Sequence, residues 1–190
     1  RQRYFFWFIH QLVYLLNCTK VLINFDPIEK TKMNKFTRIL TVVVSCLAVG
    51  YFSGIVTRSS IETWYPTLVK PSFNPPNWVF APVWTMLYCM MGLAAGLVWN
   101  RIDFDKEVVR KALIIFAVQL ALNSLWSFLF FGLMNPMLAG LEIVILWLMI
   151  FETYIQFAKI NKIAGYLMIP YLLWVSFATV LNASIWWLNR

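Results

Sequence analysis

Residues 79–99 read VFAPVWTMLYCMMGLAAGLVW, twenty-one positions without one Asp, Glu, Lys or Arg. An α-helix rises 1.5 Å per residue, so this run spans about 30 Å, the thickness of a bilayer's hydrocarbon core. Four further stretches are mostly apolar over a similar length, at about 39–56, 108–131, 137–158 and 163–188. Together they predict an all-α integral membrane protein, a bundle of five transmembrane helices. The whole composition agrees. Of 190 residues 61% are hydrophobic and only 13% charged, where soluble domains run nearer ~25% charged. Pro82 reads as a first-turn proline of the second span. Pro136 separates the third span from the fourth, Asn161 and Lys162 mark the turn before the fifth, and Pro170 suggests a kink within it.

The net charge of +8 does not indicate a nucleic-acid binder. The basic residues lie between apolar runs rather than along one polar face. Lys30, Lys32, Lys35 and Arg38 precede the first span, Arg101 and Lys106 follow the second with Arg110 and Lys111 close behind, and Lys159 and Lys162 follow the fourth. Arg58, Lys70 and Arg190 fall on the other side. The positive-inside rule then predicts the N-terminus inside, with the C-terminus and first loop outside, in a bacterial cell membrane.

Residues 1–32 differ from the rest. The run at 4–16 is apolar but too short to span. It reads either as an interfacial amphipathic segment or as an extension without function ahead of Met33-Asn34-Lys35. The second reading is preferred, so two regions are expected: 1–32, non-native or non-functional, and 33–190, the membrane domain. Cys18, Cys46 and Cys89 form no CxxC pair, and His10 has no partner at ligand spacing. No metal site, phosphate-cradling loop or nucleophile elbow is present, which argues against a metalloenzyme, an ATPase or a hydrolase.

Upstream of the second span, residues 64–78 read WYPTLVKPSFNPPNW. Prolines at 66, 71, 75 and 76 restrict φ and lower the entropy of the free loop. Two readings stand: a pre-formed roof over a ligand cavity, or a stiff connector within an interfacial aromatic belt.

Polar and aromatic residues inside the spans recur at helical spacing. Gln119, Asn123 and Ser127 share one face of the third span, with Trp126 beside it. Tyr171, Trp174, Ala178 and Leu181 share a face of the fifth, next to Asn182, while Trp84 and Tyr88 are four apart on the second. If these faces converge they enclose an aromatic cavity suited to a flat, largely apolar ligand. The alternative is amides bonded between helices and aromatics filling the core. Glu142 and Glu152 are ten residues apart, so they do not form an acid–base pair on one helix face. Glu142, near a span end, is expected to snorkel outwards. Gly50–Gly54 and Gly92–Gly96 both have GxxxG spacing, which permits close helix approach within a bundle or between two copies.

Three stretches in order, WYPTLVKPSFNPPNWVFAPVWTMLY, QLALNSLWSFLFFG and PYLLWVSFATVLN, resemble the translocator protein family. Its members are also called tryptophan-rich sensory proteins and, formerly, peripheral-type benzodiazepine receptors. The resemblance covers residues 33–190. It implies five helices, a homodimer, and a pocket capped by the first loop that binds porphyrins such as protoporphyrin IX and synthetic isoquinoline carboxamides. No resident cofactor is implied; the porphyrin is the ligand. By position, the family's pocket corresponds to Tyr65, Pro75, Pro76, Trp84 and Tyr88, to Asn123, Trp126 and Ser127, and to Trp174, Phe177, Ala178 and Leu181.

The implied function is a receptor- or transporter-like tetrapyrrole or oxidative-stress sensor. An alternative is a light-dependent porphyrin-degrading enzyme acting through Trp84 and Trp174; a further one is a sterol-binding or ligand-regulated interaction protein. One departure bears on sterols. Residues 178–187 read ATVLNASIWW, without the Tyr and the base of the animal members' cholesterol pattern. Only the weak formal match Leu148, Tyr154 and Lys159 remains. A bacterial-type member is the simpler reading.

Overall fold

The computed structural model describes residues 33–190. The 4–16 run, His10, Cys18, Lys30 and Lys32 lie outside the described residues. Five helices long and apolar enough to cross a membrane follow one another: α1 (Lys35–Thr63), α2 (Asn77–Trp99), α3 (Lys106–Ser127), α4 (Pro136–Ile160) and α5 (Lys162–Leu188). A π-helical turn, Phe128–Gly132, extends α3, and a 3-10 turn, Tyr65–Thr67, opens the first loop. The predicted spans all form.

Polar residues set the helix starts. Asn34, Asp105, Asn135 and Asn161 each place a side-chain oxygen on a first-turn amide, at 2.7, 3.1, 3.1 and 2.9 Å. Each satisfies a donor that has no partner within its own helix. Helix α2 departs from expectation. It starts at Asn77 after Pro76, so Pro82 is its sixth residue and lies inside the helix rather than in its first turn. Pro170 also lies within a continuous helix.

The bundle is tightest where α1 meets α2. A Cβ on Gly92 would lie 2.5 Å from Cα of Val43, and one on Gly96 would lie 2.6 Å from Cα of Ile39. The second GxxxG pair therefore serves packing within one chain. The core between the helices is built from Leu87, Met91, Ile143, Leu146, Ile150, Phe157, Met168 and Tyr171. Arg38 fixes the same end of the bundle, 3.4 Å from Asp103 and 3.5 Å from the Trp99 carbonyl. Arg38 and Arg58 are twenty residues apart on α1, about 30 Å, so they bracket one hydrocarbon thickness.

At the opposite end the first loop lies over the helices. Trp64 and Tyr65 pack on Phe130 and Phe131 of the π turn, with ring centroids 5.7 and 5.8 Å apart for Trp64–Phe130 and Tyr65–Phe131. Phe73 meets Phe177 edge to face at 6.2 Å. The Asn189 side chain accepts from Val69 N–H and donates to Val69 C=O, both at 2.9 Å. That pair of bonds ties the loop's middle to the end of α5.

Candidate functional site

A cavity of about 680 Å³ lies beneath this loop, between α1, α2, the α3–π junction and α5. Tyr65 closes the top. Its hydroxyl donates to Asn74 Oδ1 at 2.7 Å, and Lys70 Nζ stands 4.8 Å from its ring centroid. Burial raises the Tyr65 phenol above its ordinary value, so it remains a donor. Asn74 N–H in turn donates to Pro71 C=O at 3.0 Å. The loop's shape thus comes from local hydrogen bonds, one 3-10 turn and fixed proline φ angles rather than from longer regular structure.

The walls are aromatic. Trp84 lies 5.8 Å from Tyr88 and 6.2 Å, edge to face, from Tyr171. Trp174 meets Phe80 edge to face at 6.0 Å. Trp126 stacks on Phe130 at 5.3 Å, and its indole N–H donates to Asn182 Oδ1 at 3.2 Å. Asn182 Nδ2 donates to the Pro136 carbonyl at 2.7 Å, which satisfies both ends of a buried amide. The π turn matters here. It adds a residue to the last turn of α3 and packs Phe130 and Phe131 beneath the loop.

Eight residues expected in the pocket line this cavity: Tyr65, Trp84, Tyr88, Trp126, Ser127, Trp174, Ala178 and Leu181. The other four sit behind or beside it. Asn123 is 1% exposed and accepts from the Tyr88 hydroxyl at 2.6 Å, so it positions a wall residue. Phe177 packs on Trp174 at 5.6 Å. Pro75 accepts from Asn74 Nδ2 at 3.0 Å, and Pro76 precedes α2 as its N-cap.

Spacing did not reveal the fourth wall, on α1. Gly50, Ser53, Gly54, Thr57 and Ile61 line the cavity. They follow a three-and-four spacing of mostly small residues, which was the available signal. At the mouth Arg58 Nε lies 3.6 Å from Glu62 Oε1, both side chains mostly exposed. This is the one charged pair among the lining residues. The interior offers hydroxyls, amides and indoles, so the cavity can hold a flat apolar molecule and direct a few hydrogen bonds at it.

Glu142 does not snorkel. It is 6% exposed, and neither carboxyl oxygen has a hydrogen-bond partner. Helix rotation turns it inwards with Ala139, Ile143 and Leu146. Glu152 instead accepts from Gln156 Nε2 at 2.6 Å on its own helix.

Comparison with known proteins follows the same outline. The sequence profile of the TspO/MBR family matches residues 42–188. The chain is 44% identical over 158 residues to the "Tryptophan-rich protein TspO" of Chlorobaculum tepidum, covering 83% of this chain and 99% of that one. It is 37% identical over 146 residues to the "Protein CrtK" of Rhodobacter capsulatus, covering 77% and 89%. It is 35% identical over 142 residues to the "Translocator protein" of Bos taurus, covering 74% and 83%.

Proposed function

Because the chain belongs to the TspO/MBR family, we propose that this multi-pass membrane protein is a receptor for porphyrins, protoporphyrin IX among them, and for similar flat hydrophobic ligands. The carrying observation is the aromatic cavity of about 680 Å³ under the tied-down loop. Its volume lies within the range of about 300–1,000 Å³ usual for small-molecule sites. Trp84 and Trp174 offer faces and edges to a flat ring, and Ser127 and Tyr88 offer hydroxyls to its polar atoms. A pre-formed cover limits the ordering that binding requires.

Titration of the purified protein with protoporphyrin IX, followed by Trp fluorescence, tests this. Saturable quenching is expected, weakened in Trp84→Phe with Trp174→Phe. Quenching that never saturates, or equal affinity in the double variant, refutes it.

A second reading is favoured by one observation: two oxidisable indoles, Trp84 and Trp174, line the same cavity. Light absorbed by a bound porphyrin would then drive oxidation of the ring, with dioxygen as the oxidant. A new absorbing product formed only with protein, light and oxygen supports it. Bleaching at the protein-free rate removes it.

A homodimer and an N-terminus inside are carried by the family and by the Lys and Arg asymmetry. Mass measurement of the detergent-solubilised protein and accessibility labelling at each end of the bundle check them.

A further inference from the structure

Beneath the cavity the structure holds a buried polar layer that ligand contact alone does not explain. The Tyr88 hydroxyl donates to Asn123 Oδ1 at 2.6 Å, and Asn123 Nδ2 donates to the Tyr171 hydroxyl at 3.0 Å. Tyr88 lines the cavity, while Tyr171 is 0% exposed. The chain of bonds therefore starts at the cavity wall and runs into the core. Beyond Tyr171 it meets unpaired groups. The Tyr171 hydroxyl donates to no acceptor among the described residues, and α5, which carries it, packs along α4, which carries Glu142. Both oxygens of Glu142 and Oε1 of Gln119 are buried and unpartnered.

Depth supports the grouping. The α3–α4 turn is closed by Asn135 N–H bonded to Leu129 C=O. Asn123 lies six residues before Leu129, and Glu142 lies six after Pro136, each about 9 Å from that turn. The acid and the amide thus share one layer of the bundle.

Unpaired buried polar atoms in a membrane helix are rare and mark function more often than stability. Here one spare donor and the two Glu142 oxygens belong to this layer, with Gln119 Oε1 one helical turn deeper, a set that suits a water-sized hydrogen-bonding guest. The groups surrounding the acid are few. The titratable side chains in this cluster are Cys46 from α1, Tyr88 from α2 and Tyr171 from α5. Helix α3 adds only the buried amides Gln119 and Asn123, and the π turn carries no titratable group. On α4 itself Glu152 is engaged by Gln156. Glu142 forms no ion pair among the described residues.

We propose that Glu142 is a proton-exchange site coupled to the pocket through Tyr171, Asn123 and Tyr88, so that filling the pocket changes how many protons the carboxyl holds. The proposal rests on the pocket reading above. A ligand that engages or displaces the Tyr88 hydroxyl alters the acceptor available at Asn123. The Asn123 amide then re-pairs, and the Tyr171 hydroxyl swings toward or away from the acid. A hydrogen bond made or lost at a carboxyl changes its protonation balance. The proton passes to or from buffer, so ligand affinity depends on pH even when the ligand has no charge.

The test uses the full chain in lipid nanodiscs and an uncharged isoquinoline carboxamide, which does not itself titrate. Binding heats are measured at one pH in buffers of different ionisation enthalpy. In the parent protein the heat should differ between buffers. It should become buffer-independent in Glu142→Gln and in Tyr171→Phe, and stay buffer-dependent in Glu152→Gln. In parallel, the infrared band of a protonated carboxyl is followed as pH is varied in ligand-free protein. That band should be lost in Glu142→Gln and kept in Tyr171→Phe, which separates the acid from its link. Buffer-independent heats in the parent at every pH where it is folded overturn the coupling. A parent infrared spectrum identical to that of Glu142→Gln overturns the site. If the probe does not bind, the pocket reading and the coupling both fall, while the infrared titration still decides whether Glu142 exchanges a proton. If Glu142→Gln fails to fold, the parent heats and the Tyr171→Phe comparison decide the coupling.

Discussion

Substituting Gly54 by Leu should weaken ligand binding about a hundredfold while leaving the bundle folded. Gly54 lines the cavity, and a Cβ built on it meets nothing within 4 Å. A Leu side chain at this position therefore grows into the pocket. Its four carbons exclude about four carbons of ligand contact. At about 0.8 kcal/mol per buried methylene this amounts to roughly 3 kcal/mol, or about a hundredfold in affinity. Helix propensity moves the other way, since Leu replaces Gly within α1 and removes a penalty of about 0.8–1.0 kcal/mol. The thermal midpoint in detergent should accordingly hold or rise.

Gly50, one turn earlier in the same GxxxG pair, supplies the contrast. A Cβ there falls 2.4 Å from Tyr88 Cε2 and 2.5 Å from Cδ2. Gly50→Ala must therefore move the Tyr88 ring, whose hydroxyl is fixed to Asn123. It should lower the thermal midpoint, with a loss of about 1–3 kcal/mol if that bond is broken. The assay is protoporphyrin IX titration by Trp fluorescence beside a thermal melt for each variant. Unchanged affinity in Gly54→Leu means the ligand does not occupy this cavity. A collapsed melt in Gly54→Leu means the space beside Gly54 is not open, and the argument from volume fails.

Gly92→Leu should destabilise the bundle most, because the obstructing atoms are backbone atoms of Val43 rather than a movable side chain; a large fall in thermal midpoint is expected, and a stable variant would refute close α1–α2 contact. Asn189→Ala removes the two bonds to Val69. At about 0.5–1.5 kcal/mol per bond, the two bonds predict roughly five- to a hundredfold faster amide exchange at Val69 and faster ligand release, with little change in global stability. Asn123→Leu leaves the Tyr88 and Tyr171 hydroxyls unpaired and should cost about 1–2 kcal/mol; Tyr88→Phe in the same chain should return part of that loss, and strictly additive effects would show that the bond carries no weight.

The five helices were legible because lipid imposes a length rule. A run of about twenty apolar residues has few other places to go, and Asn34, Asp105, Asn135 and Asn161 mark where four of the helices begin. The local error at Pro82 has a simple origin. Hydropathy places a span's edge, whereas the helix continues into the polar interface as far as Asn77. The π turn was not legible at all. Phe128–Gly132 is apolar in any helical form, and the extra residue per turn leaves no mark in composition.

Rotation was the harder quantity. In water a helix shows its inner face by being apolar there and polar elsewhere. In lipid both faces are apolar, so the pattern carries little information about direction. Polar and aromatic residues then become the only markers. They served for Trp84 and Tyr88, for Trp126 and Ser127, and for Trp174 and Ala178, all of which line the cavity. On α1 the inward stripe consists of Gly50, Ser53, Gly54 and Thr57, whose smallness reads equally as helix contact. The two glycines are divided between those roles: Gly50 abuts a neighbouring ring and Gly54 faces open space. Glu142 makes the same point from the other side. Its distance from the helix end suggested an outward carboxyl, but its angle about the axis, shared with Ala139, Ile143 and Leu146, turns it into the core. For a membrane helix, depth can be counted along the chain, whereas facing is decided by the neighbours that the chain has yet to meet.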